Sequence, residues 1–260
     1  MTAQITAYPW EIGEQADGSI WRVEMANPGK LNAMTRSMWR QLRAVFEALQ
    51  NDTQVRCIVV QGQGDAFCAG GDISEYPDFR FDPVRLRAFH EEDVWGGLSA
   101  MLACDVPMVA CIEGACMGAG VEIASCCDIR WVADSATLGA PIAKLGFPMA
   151  PKELDLVSAA VGIHQAKRML LEAAVFTAQD MAQSGWCAPP LTVDQLRTQV
   201  RKTALRIAKL APQAARLNKQ TMRCLSQRQP VANPYAYAPS SEHQEGVMAF
   251  LEKRPAQFEW

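Results

Sequence analysis

The chain has 260 residues, of which 49% are hydrophobic and 20% charged, a balance typical of globular rather than disordered proteins. Its 25 Lys and Arg against 28 Asp and Glu give a net charge of −3 with no basic block, which argues against nucleic-acid binding. No apolar run reaches the ~18 residues that a membrane span needs, and no secretory signal opens the chain, so we expect a cytoplasmic protein without a membrane partner. Nine cysteines, mostly within apolar runs, and three scattered histidines predict buried reduced thiols and no metal site.

Hydrophobic patterning predicts an alternation of strands and helices. Residues 10–12 and 20–25 are predicted to form a hairpin around the polar stretch 13–19, and Thr35 is expected to cap a helix ending near Leu49. Uninterrupted apolar runs predict buried strands at 57–60, 107–112 and 129–133. Further helices are predicted at about 121 onward, 154–161, 165–172, 178–184, 193–210 and 242–253.

Strands that alternate with helices indicate an α/β fold with parallel strands and right-handed crossovers. From about residue 190 the pattern is only helical. The sequence therefore predicts two parts, an α/β core over residues 1–190 and a helical region over 191–260.

Two loops of small residues, 66–73 and 114–122, each follow a predicted buried strand. Small residues leave backbone N–H groups unshielded, and a helix that begins near Ala119 would add the positive end of its dipole. Two such loops at neighbouring strand ends can aim two N–H groups at one oxygen, as in an oxyanion hole. Dinucleotide and P-loop spacings are absent, and tight strand exits without a catalytic role remain the alternative.

The two loops resemble the paired signature of the crotonase superfamily, the enoyl-CoA hydratase/isomerase family. The first reads Phe-Cys-Ala-Gly-Gly-Asp at 67–72, and the second ends Gly-Ala-Gly-Val-Glu at 118–122. Segments 27–34, 127–130, 177–182 and 245–254 are similar to other parts of the family in the same order. The resemblance implies a crotonase-like spiral of repeated ββα units with a C-terminal helical trimerisation region, assembled as a homotrimer or a dimer of trimers.

The resemblance also implies an acyl-CoA substrate whose thioester oxygen binds the backbone N–H groups of Gly71 and Ala119, with Glu122 as general acid/base. Coenzyme A would arrive as part of the substrate, and no permanently bound cofactor is expected. The family positions that contact CoA or substrate correspond here to Lys30, Leu31, Ala33, Ala69, Gly70, Gly71, Asp72, Ile73, Gly118, Ile142, Phe250 and Lys253. Of these, Phe250 and Lys253 would reach the CoA of a neighbouring subunit.

Family members that hydrate enoyl-CoA hold water between two glutamates, and this chain has Ile142 at the second position. We expect hydratase/isomerase chemistry with Glu122 as its sole acid/base group. A malonyl-type decarboxylase and a non-catalytic CoA-binding protein are the alternatives. Glu153 and Asp72 are candidate substitutes for the missing carboxylate, although Glu153 also fits a helix first turn and Asp72 a hydrogen bond within its loop.

The segment between the two loops carries further side chains of interest. His90 is expected to be exposed rather than catalytic. An aromatic group could line an acyl pocket or form a small core of its own; its members are Tyr76, Phe79, Phe81, Phe89 and Trp95.

Overall fold

A computed structural model describes residues 2–10 and 18–258 of the chain. Among these residues, eight strands form two sheets. In chain order they are β1 (Gln4–Pro9), β2 (Ile20–Ala26), β3 (Cys57–Gly62), β4 (Met108–Ile112), β5 (Ala115–Met117), β6 (Ile129–Val132), β7 (Thr137–Gly139) and β8 (Val175–Thr177).

Ten α-helices, counted over the same described ranges, surround the sheets. They are α1 (Arg36–Asn51), α2 (Pro83–Ala88), α3 (Trp95–Ala103), α4 (Ala119–Cys126), α5 (Pro151–Val161), α6 (Ile163–Leu171), α7 (Ala178–Gln183), α8 (Val193–Ala208), α9 (Pro212–Ser226) and α10 (Ser241–Leu251). Two 3₁₀ turns, Ile73–Asp78 and Ile142–Leu145, and one π-helical turn, Phe89–Val94, complete the regular structure of the described residues.

The larger sheet has the order β1-β2-β3-β4-β6, with β1 antiparallel to β2 and the other neighbours parallel. Every residue of β4 and the first four of β3 are buried, because helices cover both faces of a parallel sheet. Helix α1 packs its apolar stripe on one side, and Thr35 caps it as predicted, its hydroxyl accepting from the N–H of Met38. Helix α8 covers the other side with a second cluster of buried apolar residues.

The smaller sheet has the order β5-β7-β8, with β5 parallel to β7 and β7 antiparallel to β8. Strand β4 of the large sheet leads into β5 of the small sheet and then α4; strand β6 leads into β7 and, after a turn, α5. Each ββα unit therefore places one strand in each sheet. The α/β prediction and the spiral of ββα units are confirmed.

Some elements differ from the prediction. The partner of β2 is β1 at Gln4–Pro9, so the strand predicted at 10–12 is wrong at Trp10, and residues 11 and 12 lie outside the described residues. Strands β5, β7 and β8 were not predicted because three residues are too short for a period to be visible. Helix α9, also not predicted, carries many polar side chains and attaches to the core through ion pairs and through hydrogen bonds to backbone carbonyls.

Helix α9 holds the helical region against the end of the large sheet. Lys219 is buried and donates to Asp128 Oδ2 at 2.8 Å and to the carbonyl of Val106 at 2.9 Å, while Arg223 pairs with Asp105 at 2.7 Å. The division into parts at residues 190 and 191 stays a prediction. No helix among the described residues is long and apolar enough to cross a membrane, and the nine thiols are free, seven of them buried.

Candidate active site

The two predicted loops lie side by side because their backbones pair. The N–H of Cys68 donates to the carbonyl of Ala115 at 2.8 Å, and the N–H of Met117 donates to the carbonyl of Cys68 at 2.8 Å. This short parallel bridge extends the small sheet by the first loop. Both loops therefore end at the same place, directly before the first turn of α4.

Close approach of the two loops requires glycine. Gly118 has φ +47° and ψ −108° at the N-terminus of α4, and Gly70 has φ +113°, both in the region that side chains disfavour. A Cβ on Gly120 would lie only 2.6 Å from the carbonyl oxygen of Cys68. The glycines of the sequence signature are thus needed to avoid side-chain clashes between the loops, as well as to leave the backbone exposed.

Gly71 and Ala119 line a common cavity, and their N–H groups donate no hydrogen bond to any described residue. Ala119 is the first residue of α4, so its N–H has no partner within the helix. We call residues 69–71 and 117–122 the amide wall of this cavity. Two unpaired N–H groups with the positive end of a helix dipole behind one of them can stabilise a negative oxygen.

Glu122 lies in the first turn of α4 and its carboxyl group borders the same cavity. The residue is buried, with 7% of its surface exposed, and its carboxyl group makes no hydrogen bond or ion pair with the described residues. Burial, and secondarily the nearby charge of Glu153, raise the pKa of Glu122 well above its ordinary value. A carboxyl group in this state can hold a proton near neutral pH and release it in a reaction.

A second carboxyl group, Glu153, enters the cavity from the first turn of α5. It is buried, and its Oε1 lies 2.8 Å from Nδ1 of His90. His90 belongs to the π-helical turn, which Asp93 fixes to α1 through ion pairs with Arg36 at 2.8 Å and Arg40 at 2.6 Å. Because π-helical turns are rare and concentrate at functional sites, this local geometry supports a role for the His90–Glu153 pair.

Side chains from distant segments form another part of the cavity lining. The side-chain wall consists of Tyr76, Arg80, His90, Phe147 and Glu153. Ile142 and other apolar side chains close the remainder of the cavity, whose volume is about 350 Å³. The site thus combines hydrogen-bond donors, two carboxyl groups and an apolar space of a size suited to a small acyl group.

Eight of the residues predicted for the site line this cavity: Ala69, Gly70, Gly71, Ile73, Gly118, Ala119, Glu122 and Ile142. The segment with Lys30, Leu31 and Ala33 runs beside the first loop, where the carbonyl of Leu31 accepts from the N–H of Ala69 at 2.9 Å. Lys30 pairs with Asp72 at 2.7 Å, and Asp72 also accepts from Ser74. Asp72 therefore stabilises its own loop, and the hydrogen bonds of Lys30 and Asp72 keep these two chain segments together.

Phe250 and Lys253 lie at the end of α10 and outside the cavity. Phe250 is 83% exposed, and Val247 and Leu251 on the same helix are exposed as well. Their predicted contact with the CoA of a neighbouring subunit stays a prediction.

The prediction that His90 is exposed is wrong, since only 18% of its side chain is accessible and its ring packs on Phe89 and Glu153. The aromatic group divides between the two interpretations. Tyr76 and Phe89 line the cavity, Phe79 is buried in the core against Phe89, and the other two members lie elsewhere: Phe81 is 85% exposed and Trp95 lines a separate groove.

Sequence reasoning did not find Arg80 and Phe147. Arg80 follows a 3₁₀ turn, and its guanidinium carbon lies 3.5 Å from the ring centroid of Phe147 and 4.5 Å from that of Tyr76. Neither residue belongs to a periodic pattern, so no signal in the sequence indicated them.

Comparison with known proteins shows the family of the chain. The sequence profile described as "Enoyl-CoA hydratase/isomerase" matches residues 15–260. The chain is 27% identical over 248 residues to a short-chain-enoyl-CoA hydratase of Clostridium acetobutylicum, covering 92% of this chain and 94% of that protein. It is 28% identical over 254 residues to a protein of Mycobacterium bovis named "Probable enoyl-CoA hydratase echA8", covering 94% and 96%.

A crystal structure from Magnetospirillum magneticum, described as an enoyl-CoA hydratase/carnithine racemase, superposes with a TM-score of 0.89 at 32% identity and covers 93% of this chain and 92% of that one. The profile match spans nearly the whole chain, and the solved structure reproduces the fold. The chain therefore belongs to the enoyl-CoA hydratase/isomerase family, within the crotonase superfamily.

Proposed function

We propose that this protein hydrates a 2-enoyl-CoA thioester through an enolate held by the amide wall. The observation that carries the proposal is the meeting of two unpaired N–H groups, at Gly71 and Ala119, with two buried carboxyl groups, Glu122 and Glu153, in one cavity. Several relatives bear hydratase names, which supports the same chemistry.

In the proposed reaction the thioester oxygen accepts from the N–H groups of Gly71 and Ala119. Ionised Glu153, held by His90, takes a proton from a water molecule while the oxygen of that water bonds to C3 of the substrate. The electron pair of the C2–C3 double bond moves onto the thioester oxygen as an enolate, and protonated Glu122 then gives its proton to C2. Water has been added across the double bond, and proton exchange with solvent returns both carboxyl groups to their starting states.

This assignment adds Glu153 to the sole carboxyl group expected from the sequence. The raised pKa of Glu122 suits a proton donor, and the hydrogen bond from Nδ1 of His90 leaves the second oxygen of Glu153 for water. Ile142 has no group that can transfer a proton, so the second proton transfer needs a residue from another element. We assign it to Glu153, in the first turn of α5.

The test is the loss of enoyl-thioester absorbance when the purified protein meets crotonyl-CoA. We expect Glu122→Gln and Glu153→Gln each to lower kcat/KM by about 10²–10⁴-fold, the range for loss of one acid/base group. Glu172→Gln, which alters an exposed carboxylate on the protein surface, is the matched control and should leave the rate unchanged.

Each outcome separates a rival from the proposal. If Glu153→Gln keeps the full rate while Glu122→Gln does not, Glu122 acts alone and the role of Glu153 is refuted. If crotonyl-CoA binds and its absorbance persists, decarboxylation of a malonyl-type thioester or a binding role replaces hydration.

We further propose that copies of the chain assemble as a trimer or a dimer of trimers through residues 191–260, in the cytoplasm. CoA would enter only as part of the substrate. The exposed apolar residues of α10, Phe250 among them, support such an interface. Truncation after Ser240 should then weaken CoA binding in a chain that is still folded.

A further inference from the structure

Arg80 places a positive charge in the cavity and forms no ion pair with a negative group among the described residues. Its guanidinium stacks on Phe147 and Tyr76, and its side chain forms no hydrogen bond or ion pair with the described residues. Its Nε is buried and finds no hydrogen-bond acceptor in the part of the chain that the structure describes. A half-buried cation that lacks an acceptor is costly, so an acceptor supplied from outside would stabilise it.

The surroundings of Arg80 prepare it for a planar anion. The guanidinium carbon lies over both rings, which are inclined at 72° to each other, and these contacts restrict its motion and leave the terminal nitrogens for hydrogen bonding. The terminal nitrogens are not among the buried unpaired atoms, so they remain accessible. Arginine in this form binds carboxylates with two parallel hydrogen bonds.

Glu153 does not serve as the missing partner. The charge of Glu153 lies near enough to act on the pKa of Arg80, but Glu153 makes no ion pair with Arg80, and its Oε1 binds His90. Burial lowers the pKa of Arg80 from its ordinary value, which agrees with a cation whose charge is not fully compensated.

We propose that Arg80 binds a carboxylate at the far end of the acyl group, so that the substrate class is the CoA monothioester of a dicarboxylic acid. The inference rests on the proposed function for the orientation of the thioester at Gly71 and Ala119. It goes beyond that function because hydration itself needs no charge on the acyl chain. The apolar residues that line the cavity, Ile142 among them, would contact the methylene groups.

The test compares binding of saturated thioesters, which cannot be hydrated. Calorimetry would measure Kd for succinyl-, glutaryl- and adipyl-CoA against butyryl-, valeryl- and hexanoyl-CoA, pairs in which a carboxylate replaces a terminal methyl group. We expect the carboxylate member to bind at least tenfold more tightly at one chain length or more. Arg80→Met should abolish that preference, and Arg80→Lys should retain part of it.

Arg22→Met is the matched control, because Arg22 also has a buried Nε without a partner and stacks on an aromatic ring, Trp10, but lies outside this cavity. It should keep the preference of the wild-type protein. Alkyl thioesters that bind as tightly as carboxylate thioesters at every length would overturn the proposal. An equal loss of affinity for both members in Arg80→Met would overturn it too, since Arg80 would then hold the CoA moiety or the fold.

These measurements separate the inference from the proposed reaction. A carboxylate preference that depends on Arg80, found in a protein that leaves crotonyl-CoA unchanged, would retain the substrate class and refute only hydration of that substrate. Hydration of crotonyl-CoA without any carboxylate preference would do the reverse.

Discussion

The two walls of the cavity are built on different principles. The amide wall uses backbone N–H groups on two short loops that a sheet bridge holds together, and its geometry depends on glycines at positions 70, 118 and 120. The side-chain wall uses Tyr76, Arg80, His90, Phe147 and Glu153, which come from a 3₁₀ segment, a π-helical turn, a loop and a helix N-terminus. In the proposed reaction the first wall binds the thioester oxygen, whereas the second holds Glu153 with its partner His90 and, at Arg80, the proposed carboxylate site.

After the loss of Glu122 or Glu153, the largest effect is expected from a substitution that pushes the loops of the amide wall apart. In Gly120→Ala the new Cβ would meet the carbonyl oxygen of Cys68 at 2.6 Å, and a backbone atom cannot move aside as a flexible side chain can. Overpacking of this kind costs about 1–3 kcal/mol of stability. A displacement of about 1 Å at the Ala119 N–H would lower kcat about 10²-fold. Urea unfolding and initial rates measure the two effects.

Gly96→Ala is the control for the amide-wall variant. Its Cβ would meet the side chain of Arg43 at an ordinary 3.5 Å, and helix α3 should gain rather than lose stability. If Gly120→Ala kept both stability and rate, the tight contact with Cys68 would not be what fixes the amide wall.

A smaller effect is expected on the side-chain wall, where His90→Gln removes the ring that orients Glu153. A charge-assisted hydrogen bond contributes about 1.5–3 kcal/mol, which corresponds to about a 10–100-fold loss in kcat with KM little changed. Because His90 acts through Glu153, the pH dependence of kcat should shift as well, which a purely structural role would not produce. His164→Gln, on the exposed face of α6, should change neither quantity.

The same contrast explains what the sequence could predict. A site built from backbone N–H groups needs small residues at fixed spacing, so the loops with Gly71 and Ala119 could be predicted from the sequence. The fully buried strands and the capped helix α1 could be predicted from their local patterns as well. Glu122 was found because it belongs to the same short segment. His90 was misjudged because a π-helical turn follows no usual period, and Arg80 went unnoticed because nothing in a single sequence brings residue 80 next to residue 147. Side chains that meet through the fold alone leave no local pattern.

The smallest effect expected is a pH dependence of stability that links the two walls. The pKa of Glu122 is raised in the folded protein by burial first and by the charge of Glu153 second, so the folded state binds more protons than the unfolded state above the ordinary pKa of about 4.5. The free energy of unfolding should therefore fall as pH rises from that value through the raised pKa. Each pH unit of this window removes about 1.4 kcal/mol at most.

Glutamine cannot ionise, so Glu122→Gln should lack this part of the pH dependence and become the more stable protein at high pH, although it is inactive. Urea unfolding of both proteins between pH 5 and pH 8 gives the difference in slope. Glu153→Gln should show a reduced slope, because it removes the second cause of the shift while Glu122 stays buried. A difference between wild type and Glu122→Gln that does not change with pH would mean that Glu122 is ionised at little cost. The proton donor of the proposed reaction would then have to be another group.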